Sequence, residues 1–353
     1  MKDLINICVV GLGHWGPNIV RSLQSDSRVN VSLAVEKSPE RREFIKTKIP
    51  DLNVSEDFDT CVEDPTIDAV VIATPTEQHY QLGMQALNAG KHLFIEKPIA
   101  HSTEAAQELI ALAAEKGRIL MTGHVFLYNE AIVEMKNIVD RGTLGNILYM
   151  RAVRTNLGPI RSDVNVLWDL ASHDISIFNY IFNDLPIEVS CSAFSALGRH
   201  VEDIAQASLV YPDNRVAMVF ASWLDPRKSR KITVVGDHKM LLFDDLLPEH
   251  PLKIFDKGVR VEIEPGYTDT FNNFRLSVYE GNNYNSHIST GEPLKNECSH
   301  FVDCILSATR PMTDGENGLE VVRTLEALTR SLNENGRPVN LWHTKTGSLG
   351  DHS

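Results

Sequence analysis

Two groups of residues have types and spacing that could move protons. Asp169 and His173 stand four apart in Asp-Leu-Ala-Ser-His. On a helix that spacing puts both on one face. A carboxylate there can fix an imidazole's orientation or raise its basicity, and histidine titrates nearest neutrality. The same spacing also fits a plain surface pair, but the flanking Trp168, Leu170, Ile175 and Phe178 predict a largely buried helix. Lys97 lies in Glu96-Lys97-Pro98, directly after the apolar run from His92 to Ile95. Pro98 biases Lys97 toward an extended backbone, which places its amine where that strand ends.

A third group would hold a ligand. Gly11, Gly13 and Gly16 follow the β-branched run Ile5–Val10, with His14 and Trp15 between them, and a helix begins at Pro17. G-x-G-x-x-G alone is weak evidence. Between a strand and a helix it predicts a tight turn, close backbone approach to a pyrophosphate, and close helix–strand packing. A second strand, Val29–Val35, ends in Glu36, about 20 residues on, where a carboxylate holds a ribose diol and opposes a 2′-phosphate. The expected cofactor is NAD. Thr74, Pro75 and His79, in Ala73-Thr-Pro-Thr-Glu-Gln-His79, follow another buried strand and suit a loop laid against that cofactor, as does Glu96.

The elements that must position these groups alternate. Strands at Val29, Ala69, His92 and Ile119 interleave with helices at Glu40–Lys48, His79–Ala89 and Thr103–Lys116. Such alternation specifies a doubly wound parallel sheet, a Rossmann domain over residues 1–123. Beyond Tyr128 come a helix (Asn129–Arg141), a strand (Leu148–Asn156), the Leu167–Phe182 helix, and five β-like segments from Glu188 to Asp244 with short turns. That succession predicts an α/β domain with a largely antiparallel sheet over 124–342. Residues 256–284 read as strands or an asparagine-rich loop, and 343–353 as a flexible tail. Helices are expected at Glu297–Leu306 and Glu316–Leu332. Arg154, Asn156 and Arg161 could meet anionic or hydroxyl-rich substrate groups or could simply be solvated. His124 and Tyr128 either line a cleft or pack as a hinge.

The 353 residues suffice for two domains. A formal charge of −13 argues against nucleic acid or an anionic membrane as partner. Five scattered cysteines without Cys-x-x-Cys indicate neither a disulfide framework nor a metal site. With no charged-then-apolar leader and no ~20-residue apolar run, the expectation is a cytoplasmic protein.

Taken together, Gly11-Leu-Gly13-His-Trp-Gly16, Ala73-Thr-Pro…His79, Glu96-Lys97-Pro98 and Asp169-Leu-Ala-Ser-His173 resemble the Gfo/Idh/MocA oxidoreductases, named for glucose–fructose oxidoreductase and inositol dehydrogenase. The resemblance implies a C-terminal domain with an open, predominantly antiparallel sheet, often used for oligomer contacts, so a homodimer or homotetramer is expected. It implies that Lys97, Asp169 and His173 form the catalytic group beside the nicotinamide, acting on a sugar or polyol carbon. The Arg161-Ser-Asp-Val-Asn-Val-Leu-Trp168 stretch looks like members of surface-polysaccharide and nucleotide-sugar pathways. The substrate that implies is a nucleotide sugar such as a UDP-N-acetylhexosamine. A free sugar or inositol, or a non-catalytic NAD-binding regulator, are the alternatives.

Overall fold

The computed structural model describes residues 4–158, 160–161, 164–198, 200–262, 275–286, 288 and 291–341. In chain order its first elements are β1 (Ile5–Val10), α1 (Gly16–Gln24), β2 (Val29–Val35), α2 (Pro39–Lys48), β3 (Val54–Ser55), α3 (Asp59–Val62), β4 (Ala69–Ile72), α4 (His79–Asn88), β5 (His92–Glu96), α5 (Thr103–Lys116) and β6 (Leu120–Gly123). The six strands form one parallel sheet in the order β3-β2-β1-β4-β5-β6. Strand order reverses between β1 and β4, the switch point where such sheets take ligands at their carboxyl ends. The strands read as unbroken apolar runs because helices cover both faces; β4 is buried throughout. Ser38 and Ser102 cap α2 and α5 by accepting from Arg41 N and Ala105 N, and Gly117 ends α5 at φ 60°.

The chain continues through α6 (Glu130–Asp140), β7 (Ile147–Leu157), a π-helical turn (Leu167–Ala171), α7 (Ser172–Phe182), β8 (Glu188–Phe194), β9 (Ile204–Val210), β10 (Val216–Ser222), β11 (Leu224–Gly236), β12 (Met240–Asp244), β13 (Leu252–Glu262) and β14 (Arg275–Ser286). It ends with α8 (Pro293–Ser307), α9 (Gly315–Asn333) and β15 (Val339–Asn340). Nine strands form a second sheet, β14-β13-β12-β11-β7-β10-β9-β8-β15. Every neighbouring pair is antiparallel except β7 and β10, which run parallel. The expected open, predominantly antiparallel sheet is therefore present. It is longer than the sequence pattern indicated, because β13 and β14 pair antiparallel in the stretch that left strand and loop open.

Two compact units result, residues 1–129 with 291–326, and residues 130–290 with 327–353. This departs from the expected division at residue 123 into two continuous domains. The physical reason is α8, whose Leu294, Cys298, Phe301 and Val302 join the core built by Ile7, Val9, Ile19 and Phe94. Phe94 and Phe301 meet at 5.6 Å between ring centroids. The expected tail at 343–353 lies outside the described residues.

Candidate active site

In the first unit the three glycines divide their labour as the pattern predicts. Gly11 adopts φ +91°, and a Cβ there would lie 2.8 Å from Ala73 O. A Cβ on Gly16 would sit 2.0 Å from Gly11 O, so only glycine lets α1 pack against the turn. A Cβ on Gly13 would meet only Arg41 Nη1, at 3.6 Å, which leaves its backbone open to a ligand. His14 and Trp15 are exposed beside it, with rings edge to face at 5.9 Å. Glu36 is buried at the end of β2. One of its oxygens accepts from Leu12 N at 2.8 Å and the other from Ser38 N at 2.9 Å. These bonds lock the glycine loop to the second strand and hold the carboxylate in place, with Arg41 Nη1 3.9 Å away.

Glu96 and Lys97 stand at the carboxyl end of β5. Lys97 N donates to Glu96 Oε2 at 3.3 Å. Burial pushes the Glu96 carboxyl up to about 7, against the pull of the Lys97 charge. His124, directly after β6, is 1% exposed, and burial together with the Lys97 charge pushes its imidazole down to about 3. It is neutral at physiological pH. Neither of its ring nitrogens has a hydrogen-bond partner among the described residues. Tyr128 packs in the core, with its hydroxyl 3.0 Å from Thr313 Oγ1. Burial raises its phenol well above the usual range. His79 is buried too, its ring held between two backbone carbonyls, so it braces the Thr74-Pro75 turn from behind.

In the second unit Asp169 sits within the π-helical turn, and His173 follows in the first turn of α7. The sequence predicted one continuous helix here. Instead Ser172 N reaches back five residues to Leu167 O, a local widening that often marks functional segments. The Asp169 carboxylate is fixed from two sides: Arg161 Nη1 donates to one oxygen at 3.1 Å and Trp223 Nε1 to the other at 3.1 Å. His173 is half-buried, and its backbone carbonyl accepts from Ser176 Oγ.

The two arginines and the asparagine offered as substrate contacts or as solvated groups are each hydrogen-bonded within the chain. Arg154 is 5% exposed and donates through Nε and Nη2 to both oxygens of Asp174, at 2.9 and 2.8 Å. Arg161 is the Asp169 partner, and Asn156 Nδ2 donates to Gly158 O. The physical reason for Arg154 is its inward register on β7, beneath α7, where a guanidinium must find a carboxylate. Sequence reasoning missed Trp223, which has no local motif. It also missed Glu297 on α8, fully buried with neither carboxyl oxygen hydrogen-bonded among the described residues. Burial and the nearby Glu96 raise that carboxyl well above its usual range.

The profile described as "Oxidoreductase family, NAD-binding Rossmann fold" matches residues 5–124, and that of the GFO/IDH/MocA C-terminal domain matches residues 132–242. This chain belongs to the GFO/IDH/MocA oxidoreductase family. It is 22% identical to 2,7-anhydro-N-acetylneuraminate hydratase of Mediterraneibacter gnavus, over 93% of this chain and 94% of that one. It is 24% identical to scyllo-inositol 2-dehydrogenase (NAD(+)) of Bacillus subtilis, over 97% of each chain. In fold it is similar to UDP-N-acetylglucosamine 3-dehydrogenase of Acidithiobacillus ferrooxidans, with a TM-score of 0.76 at 22% identity, covering 94% of this chain and 98% of that one. As an oxidoreductase of this family it carries an NAD-binding Rossmann domain, and the open backbone at Gly13 fits the pyrophosphate of that cofactor. No helix among the described residues is long and apolar enough to cross a membrane.

Proposed function

We propose that this chain transfers a hydride between NAD and a secondary alcohol or ketone carbon of a hydroxyl-rich ring, a sugar or a cyclitol. NAD, when bound, supplies the hydride acceptor or donor. Gly11–Gly16 and Glu36 hold its pyrophosphate and adenosine ribose, and Glu36 makes NAD the preferred cofactor over NADP. His173 takes the hydroxyl proton as the carbon is oxidised. Lys97 hydrogen-bonds the same oxygen and stabilises its developing negative charge, and Asp169 orients the catalytic set. Such a relay contributes roughly 10²–10⁴-fold. The observation that carries the reading is the Asp169 carboxylate, held rigid by Arg161 and Trp223 one turn before His173. A regulator that only senses NAD has no need of a fixed carboxylate beside an imidazole.

Within that class the placement of Arg154 favours a free sugar or cyclitol over a nucleotide sugar. A diphosphate needs cations that can turn toward it, and this guanidinium is committed to Asp174 inside the fold. The nucleotide-sugar reading retains the Arg161–Trp168 sequence pattern and the likeness in fold to a UDP-N-acetylglucosamine dehydrogenase. The discriminating experiment is a panel of inositols, free sugars and UDP-N-acetylhexosamines followed by NADH absorbance. Product analysis run beside it detects reactions that return the cofactor to its starting state. Turnover on cyclitols or free sugars supports the reading; turnover confined to UDP-sugars reverses it. We also propose a symmetric homodimer or homotetramer in the cytoplasm. In the second sheet, the strand residues Arg151, Val153, Thr233 and Leu242 border a groove of about 720 Å³, a surface open to a partner.

A further inference from the structure

His79 opens α4 and is 1% exposed. Its ring nitrogens meet two carbonyl oxygens from different turns. Nδ1 lies 2.8 Å from Pro98 O, and Nε2 lies 2.8 Å from Thr74 O. A carbonyl oxygen can only accept. A neutral imidazole has one N–H and one lone pair, so it would bond one oxygen and turn a lone pair on the other at contact distance. Only the imidazolium donates to both. We propose that His79 is a buried imidazolium that ties the turn after β4 to the Lys97-Pro98 turn, and so acts as a positioning residue for Lys97.

The turns it joins are the ones this unit must align. Thr74 packs under the glycine loop: a Cβ on Gly11 would lie 2.9 Å from Thr74 Cγ2. One ring therefore links, through backbone atoms, the phosphate-binding turn to the lysine-bearing turn. Burial and the N-terminal end of α4 both oppose a cation at this position. Two charge-assisted bonds to carbonyl oxygens oppose that penalty. The charged groups on the flanking elements are Glu77 in the preceding turn, Glu96 and Lys97 at the end of β5, and Glu104 and Glu108 on α5, where Tyr80 bonds Glu108.

The consequence for catalysis rests on the reading of Lys97 given above, but the staple itself is tested without any substrate. The full chain, labelled with nitrogen-15 at histidine, is examined by NMR at about pH 8. His79→Gln assigns the His79 signal by its loss. The expected result is both ring nitrogens of His79 in the protonated position at a pH where solvent-exposed histidines are neutral. One protonated and one unprotonated nitrogen would overturn the proposal, and this readout needs only the wild-type protein to be folded. The second measurement is the rate at which acetic anhydride labels Lys97, read by mass spectrometry. In His79→Gln, with circular dichroism unchanged, that rate should change roughly tenfold, the effect of a one-unit shift in the lysine's pKa. An unchanged Lys97 rate in a folded variant would refute the positioning role. If NMR supports the staple while Lys97→Ala leaves turnover intact, the catalytic reading fails and the staple stands.

Discussion

Arg154 and Asp174 offer the sharpest test of how the second unit is built. Their side chains are 6% and 1% exposed and share two hydrogen bonds. Asp174→Ala would leave a guanidinium inside the fold without its carboxylate. Breaking a buried pair in this way costs about 3–5 kcal/mol, more than the pair itself contributes, because the stranded charge keeps its full desolvation penalty. At about 1.4 kcal/mol per factor of ten, the folded-to-unfolded ratio should fall by roughly 10²–10³·⁵. Replacing both partners, Arg154→Met with Asp174→Leu, removes both charges and keeps the volume, so most of that loss should return. Urea unfolding followed by tryptophan fluorescence suits the measurement, since Trp168 and Trp223 both lie in this unit. An Asp174→Ala cost below about 1 kcal/mol would refute the buried-pair argument, as would a double variant as unstable as the sum of the singles. Kinetics of the folded double variant add a second check: a brace predicts a substrate KM within about twofold of wild type, whereas a substrate-binding Arg154 predicts a loss of about tenfold or more.

Four further outcomes are expected. His173→Ala and Lys97→Ala should each lower kcat by roughly 10²–10⁴-fold with NADH affinity nearly unchanged, and less than additively together, since both act on one oxygen; near-wild-type turnover in both would move the regulator reading to first place. Measured kcat/KM should favour NAD over NADP, and Glu36→Ala should narrow the ratio because Arg41 stands 3.9 Å behind the carboxylate; equal values in the wild type would contradict the assignment of Glu36. Glu297→Gln should leave stability nearly unchanged near pH 4 and raise it increasingly toward pH 8. Burial keeps Glu297 protonated in the folded chain while the unfolded carboxyl ionises at its ordinary value, so wild-type stability falls as pH rises through that window; a difference in Tm independent of pH would refute this. Light scattering at micromolar concentration should give a dimer or tetramer, and a stable monomer would remove the proposed interface.

The sequence alone determined what depends on short stretches of chain. The glycine spacing, the Glu36 strand end and the Glu96-Lys97-Pro98 turn were legible because each works through local backbone geometry, and alternating apolar runs specify a parallel sheet covered on both sides. The Asp169/His173 pair was legible as a spacing. Its π-helical turn was not, since that widening comes from packing rather than helix propensity. Only tertiary structure decided where long-range partners lie. Arg154 was open to a substrate role by residue type, and Asp174, 20 residues later on α7, is the carboxylate that the fold brings to it. Trp223 reached Asp169 across 54 residues, and α8 returned to the first unit because its apolar side found Phe94 there. The burial of Glu297, like the two carbonyls around His79, depends on which elements meet. Side-chain identity fixes what a group can do; its burial and its partners, both properties of the assembled fold, fix which of those things it does.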